Sequence, residues 1–239
     1  MKKTLLTLLT AATLLTGGIN NSQGQNSKVF NNKILIYGDS NHQSEKQENF
    51  MISLIDSLKK QGYNYFATEL PEKYDESYQK YFSSKKEDKD SIINLFLEWR
   101  PSNIELNMCY EFYKQGFKVV PIDTTYEELE RYSLDEEGNI VTELNNRDPY
   151  MAKNIEKILE KDSSAKIIVS VGALHAAKNS IIEAFYRKTR IILKNSTMTE
   201  ILKQKGHGIE TIYLKDESSP LLETLLGSNE YFDKIVYLE

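Results

Sequence analysis

The chain has 239 residues, with 30 Lys and Arg against 35 Asp and Glu, and a single cysteine. A formal charge of -5 excludes a nucleic-acid surface as the main partner. Cys109 has no partner for an internal disulfide, so packing must supply the stability; inside a helical-looking stretch it reads as a small buried hydrophobe.

Met1-Lys2-Lys3 is followed by an apolar run from Leu5 to Leu15 and then a Gly-, Asn- and Ser-rich stretch. A basic start, a short apolar run and small residues form the pattern of a secretory signal, and the run is too short to cross a bilayer. Residues 1–24 are therefore expected to be a signal peptide cut near Ser22-Gln23-Gly24, a retained N-terminal anchor being the other reading. No cysteine follows the run to carry a lipid. Residues 25–239 are expected to form one secreted or periplasmic α/β domain, with no membrane span after signal removal.

Six apolar runs then read as strands: Ile34-Tyr37, Tyr63-Thr68, Lys118-Ile122, Lys166-Val171, Ile209-Leu214 and Lys234-Leu238. Helical patterns lie between most of them. Such alternation predicts a mainly parallel sheet flanked by helices, whose strands, buried on both faces, read as continuous apolar stretches. Phe50, Ile52, Leu54, Ile55 and Leu58 form the stripe of a first helix that ends at Lys59-Lys60-Gln61-Gly62. The stretch from Pro71 to Gly116 predicts a helical insertion after the second strand, with Tyr74, Tyr78, Tyr81, Phe82, Leu95, Phe96 and Trp99 as core or cap packing. Leu134 to Asn139 is polar and turn-rich. A helix is expected from Tyr150 to Lys161, and Thr197 to Glu200 has the spacing of a capping box for a short helix through Lys205.

Ligands of open α/β sheets sit outside the carboxyl ends of the strands. In this chain those positions are polar: Gly38-Asp39-Ser40-Asn41-His42, Glu69, Asp123-Thr124-Thr125, and Gly172-Ala173-Leu174-His175. His42 and His175 at equivalent ends predict a site, in which a neutral imidazole takes a proton from water or binds a metal. Glu69 begins in a poorly solvated place directly after an apolar strand, which favours a functional carboxylate. Asp123 reads equally as a helix cap. Arg147 is a candidate for a substrate anion or a developing oxyanion. Asp39 reads as a loop-amide acceptor, Glu45 as a helix-opening charge, His207 as a turn residue, and Ser170 is discounted as a nucleophile inside a buried strand. No GxSxG, HExxH, CxxC or glycine-rich phosphate loop is present.

Gly38-Asp39-Ser40-Asn41-His42, Ala67-Thr68-Glu69, Arg147-Asp148-Pro149-Tyr150-Met151-Ala152-Lys153-Asn154 and Gly172-Ala173-Leu174-His175 resemble the ordered motifs of the erythromycin esterase / ChaN / Tiki group. The resemblance to the esterases implies His42 as the base that activates water, with Glu69, Arg147 and His175 as partners. Resemblance to the Tiki peptidases implies a divalent transition metal among His42, Glu69 and His175. Resemblance to ChaN implies haem, and shows that the fold need not be catalytic. The first motif departs from the group in carrying Asp39 where Glu is usual. The leading expectation is a secreted hydrolase of ester or peptide bonds acting on a small-molecule or peptide substrate. A non-catalytic binder of haem, metal or a small molecule is the alternative, and a degenerate scaffold acting through protein contacts is a third.

Overall fold

The computed structural model describes residues 32–39, 44–84, 101–124, 132–134, 140–142, 147–178, 182–186, 189–193, 196–216 and 231–238. The N-terminal segment 1–24, His42, and Leu95, Phe96 and Trp99 lie outside these residues.

All six expected strands form. They are β1 (Ile34–Asp39), β2 (Tyr65–Pro71), β3 (Lys118–Asp123), β6 (Ile167–Gly172), β9 (Ile209–Asp216) and β10 (Lys234–Leu238), joined in one parallel sheet of order β10-β9-β1-β6-β2-β3. Pro121 has no amide to give a ladder, which suits β3 at the sheet edge. Four further short strands, β4 (Tyr132–Leu134), β5 (Ile140–Thr142), β7 (Ile182–Tyr186) and β8 (Thr189–Leu193), form a second sheet of order β4-β5-β8-β7. The sequence reading does not include it. Strands of three to five residues fall below the length at which an apolar run stands out, and β4 and β5 flank the expected polar turn.

The strands alternate sides, and each side buries a separate core. Ile34, Ile36, Ala67, Ile167, Val169 and Val171 face α4 (Arg147–Lys161), α5 (Ala173–Ala176) and α6 (Met198–Gln204). Leu35, Tyr37, Phe66, Ile168, Ile212 and Leu214 face α1 (Glu45–Lys60), α2 (Asp75–Ser83) and α3 (Asn103–Lys114). Helix α1 begins on the Ser44 cap and ends as its Lys-Lys-Gln-Gly signal predicts. Gly62 takes φ of 87°, and the Gly62 and Tyr63 amides return to the Lys59 and Leu58 carbonyls at 2.9 and 3.1 Å. In the helical insertion, α2 and α3 pack Tyr78, Phe82 and Phe112 into the second core, with Phe112 stacked on Phe66 at 3.9 Å. Cys109 is fully buried there, and desolvation pushes its thiol pKa up, as suits an inert core residue.

Helix α4 starts three residues before the expected Tyr150, because Arg147 and Asp148 are anchored in its first turn. Pro149 is tolerated there, where no intrahelical amide bond is lost. Thr197 caps α6, accepting from the Glu200 amide at 3.2 Å, as the capping-box spacing predicts.

Candidate functional site

Three adjacent strands of the sheet, β6, β2 and β3, deliver residues to one point at their carboxyl ends, and α4 runs across it. On β2 the register with β3 shifts between Thr68 and Pro71, and pairing of β2 with β6 stops at Thr68 and Ser170. A bulge of this kind re-aims a side chain. Glu69 sits in it, and its Oε2 accepts from the Gly172 amide at 2.7 Å, beyond the end of the paired β2–β6 ladder. Glu69 thus ties the mouth of β6 to β2.

The other Glu69 oxygen accepts from Arg147, and Arg147 also reaches Asp123, donating from Nε to Oδ1 at 3.2 Å and from a terminal nitrogen to Oδ2 at 2.5 Å. One guanidinium is therefore held between two carboxylates, with its side chain 17% exposed and that of Asp123 only 2%. Burial pushes the Asp123 pKa up, against the pull of Arg147, while the Arg147 pKa rises because Glu69 and Asp123 outweigh its own desolvation. Arg147 already has its charge compensated within the protein. Asp123 is one of the clustered carboxylates, and it also accepts from the Thr124 amide at 2.8 Å; the segment that it was expected to cap lies outside the described residues.

His175 lies in α5, the single helical turn that follows β6. Its Nδ1 is 2.9 Å from Asp148 Oδ2, and its Nε2 is 3.5 Å from Glu69 Oε1. Burial of the ring opposes its charged form, yet Asp148 and Glu69 outweigh that cost and push the pKa up to about 9. At neutral pH His175 is an imidazolium facing carboxylates with both nitrogens. Asp148 is completely buried, and its second oxygen accepts from the Met198 amide at 2.5 Å.

Asp148 is the member of the cluster that sequence reasoning did not assign. It stands in the RDPYMAKN segment, and that segment now has a physical reading. Arg147 serves Glu69 and Asp123; Asp148 serves His175; Met151 and Ala152 are fully buried against the sheet; Asn154 donates to the Ile122 carbonyl at 2.9 Å and fixes the backbone just before Asp123. Gly38, in the first motif, is equally constrained. A Cβ there would lie 2.7 Å from Ala176 Cβ, so the glycine lets α5 settle on β1 and sets the depth of His175.

The structure brings together Glu69, Asp123, Arg147 and His175. His42 lies outside the described residues, after β1, the strand beside β6. Asp39 and Ser170 do not join the cluster; they line a cleft toward α1 and α3, with Glu48 and Glu105. Glu45 opens α1, as expected. His207 sits in the turn after α6, with Nε2 3.7 Å from Glu156.

Among the described residues no group of three His, Cys, Asp or Glu could hold a metal ion. Among the described residues, the paired carboxylates Glu69 and Asp123 are already engaged. A guanidinium occupies the space between Glu69 and Asp123 where a divalent cation would need both carboxylates.

No protein-family model matches the chain, and no curated protein matches it. Solved structures do. An erythromycin esterase, EreC H289N in its open conformation, is similar with a TM-score of 0.57 at 10% identity, covering 77% of this chain and 70% of that one. RRSP, a MARTX toxin effector domain from Vibrio vulnificus, gives 0.51 at 14% identity, over 89% of this chain and 39% of its own. ChaN of Campylobacter jejuni, solved with cofacial haem, gives 0.45 at 15% identity over 79% and 83% of the two chains. The likeness is one of fold: the chain has an α/β fold similar to that of erythromycin esterase EreC.

Proposed function

We propose that this protein is a secreted or periplasmic hydrolase of ester or peptide bonds, in which His42 takes a proton from water and His175 gives one to the leaving group. The observation that carries the reading is the His175 ring. Nδ1 is fixed on Asp148 at 2.9 Å, whereas Nε2 stands 3.5 Å from Glu69, beyond a good N–H···O bond. The Nε2 proton is thus held by charge more than by a tight hydrogen bond, and a leaving oxygen or nitrogen competes for it. A group protonated at neutral pH suits an acid better than a base.

In the step envisaged, His42 removes a proton from water as the oxygen attacks the substrate carbonyl carbon. The resulting tetrahedral species breaks its bond to the leaving group as Nε2–H of His175 protonates that group. Glu69 supports the acid electrostatically, and Arg147 keeps the paired carboxylates from repelling each other. Export rests on the N-terminal sequence pattern.

The test is turnover of a panel of ester and peptide substrates by wild type, His42→Ala and His175→Gln, with circular dichroism to confirm folding. Loss of turnover in both folded variants is expected. Retained turnover in either overturns the mechanism, and stoichiometric haem in a wild-type protein that turns over nothing would assign the fold to binding instead.

A further inference from the structure

Helix α5 is one turn long, and such a helix leaves its last carbonyls without intrahelical partners. Inside the protein those carbonyls cannot turn to water. They are met by the first turn of α6. Thr197 Oγ1 donates to the Ala177 carbonyl at 2.6 Å, and Thr199 Oγ1 to the Ala176 carbonyl at 2.8 Å, with the His175 carbonyl at 3.4 Å. Between them, the Met198 amide donates to Asp148 Oδ1, while Asp148 Oδ2 faces the His175 ring. Thr197, Met198 and Thr199 are all fully buried.

Three consecutive residues therefore grip both the backbone that carries His175 and the carboxylate that orients it. We propose that Thr199 and the Met198 amide are positioning elements for His175, fixing the ring and its partner to the same helical turn so that Nδ1 stays on Asp148 and Nε2 stays at the strand ends. This rests on the reading of His175 as the proton donor, but the geometry it predicts is measurable without a substrate. The charged groups around the ring are Asp148 and Arg147 from α4 and Glu69 from β2, with Asp123 of β3 behind Arg147.

The experiment is NMR of the full-length protein labelled with nitrogen-15. In wild type, the Met198 amide shift should move with the same midpoint as the His175 ring, since both share Asp148; an amide that stays still while the ring titrates overturns the proposal. Thr199→Val keeps the shape but removes the hydroxyl, and Thr199→Ser restores it. In Thr199→Val the low-field Nδ1 proton resonance of His175 should be lost, and kcat on any substrate found should fall about ten- to a hundredfold with KM unchanged. Thr199→Ser should recover both. An unaltered ring resonance in folded Thr199→Val overturns the assignment, and if that variant does not fold the wild-type Met198 titration decides. Failure to find any substrate would count against the hydrolase reading while leaving these spectra to judge the clamp.

Discussion

Asp148 Oδ2 stands 2.9 Å from His175 Nδ1 while Asp148 Oδ1 accepts from the Met198 amide, so one fully buried carboxylate is committed to two donors from two different helices. Asparagine in its place cannot satisfy both. If its oxygen serves Met198, its NH2 faces Nδ1, and the ring must become neutral with its proton on Nε2. Asp148→Asn is expected to cost about 3–5 kcal/mol, the usual penalty for breaking a buried charged pair from one side. Urea unfolding measures that loss. The same variant should lose turnover, because the tautomer is wrong and the acid is uncharged.

Arg147 bridges Glu69 and Asp123 with a single positive charge, and its removal leaves two buried carboxylates facing each other. Arg147→Met should destabilise the fold most at alkaline pH. The sign follows from linkage: a carboxylate whose folded pKa lies above its unfolded value binds a proton more readily when folded, so stability returns as pH falls. Unfolding midpoints of the variant at pH 5 and pH 8 should therefore differ from wild type by less at pH 5. An equal deficit at both values would show that the carboxylates do not depend on Arg147. Arg147→Lys keeps the charge but loses the fork that reaches both partners, and should fall between the two.

The main sheet was legible because β1 and β6 are buried on both faces, and such strands read as nearly continuous apolar runs. Glu69, Asp123 and His175 were legible because polar residues placed directly after those runs have few structural reasons to be there. Asp148 was not. An acidic residue in the first turn of a helix is expected on dipole grounds alone, and its burial is created by α5 and α6, which arrive later in the chain. Thr197 shows the same limit in one residue: its capping of α6 follows from spacing, but its second bond, to the Ala177 carbonyl, depends on tertiary contact. The charge compensation of Arg147 likewise needs β2 and β3 to be neighbours, which no local pattern shows.

Gly38 provides a test of how closely α5 must approach β1. A Cβ at this position would lie 2.7 Å from Ala176 Cβ, 3.1 Å from Ala173 Cα and 3.2 Å from a ring atom of Phe232. Gly38→Ala should cost about 1–3 kcal/mol, the range for overpacking a filled core, and should displace His175 with its helix. Ala176→Gly removes the closest of the three contacts. The double variant should therefore recover part of the loss, and a double-mutant cycle by chemical denaturation gives the coupling energy. Additive losses would mean that the two residues do not press on each other, and that α5 is placed by other contacts.

His175 also sets a pH dependence of stability in the wild-type protein, with the same sign as that of the Arg147 variant: stability falls as pH rises. Its folded pKa of about 9 lies above the 6.5 of an unperturbed imidazole, because Asp148 and Glu69 together outweigh the desolvation that would otherwise lower it. The folded state therefore holds a proton that the unfolded chain has already released between these values. The stabilisation from the imidazolium is complete below about pH 6.5 and is lost as pH rises through about 9, a span worth on the order of 3 kcal/mol. Thermal or urea unfolding from pH 6 to pH 10 should show this decline in wild type. His175→Gln, which cannot titrate, should show a flatter curve over the same interval. Identical slopes in the two proteins would mean that the ring is not charged in the folded state, and the role of His175 as proton donor at neutral pH would fall with it.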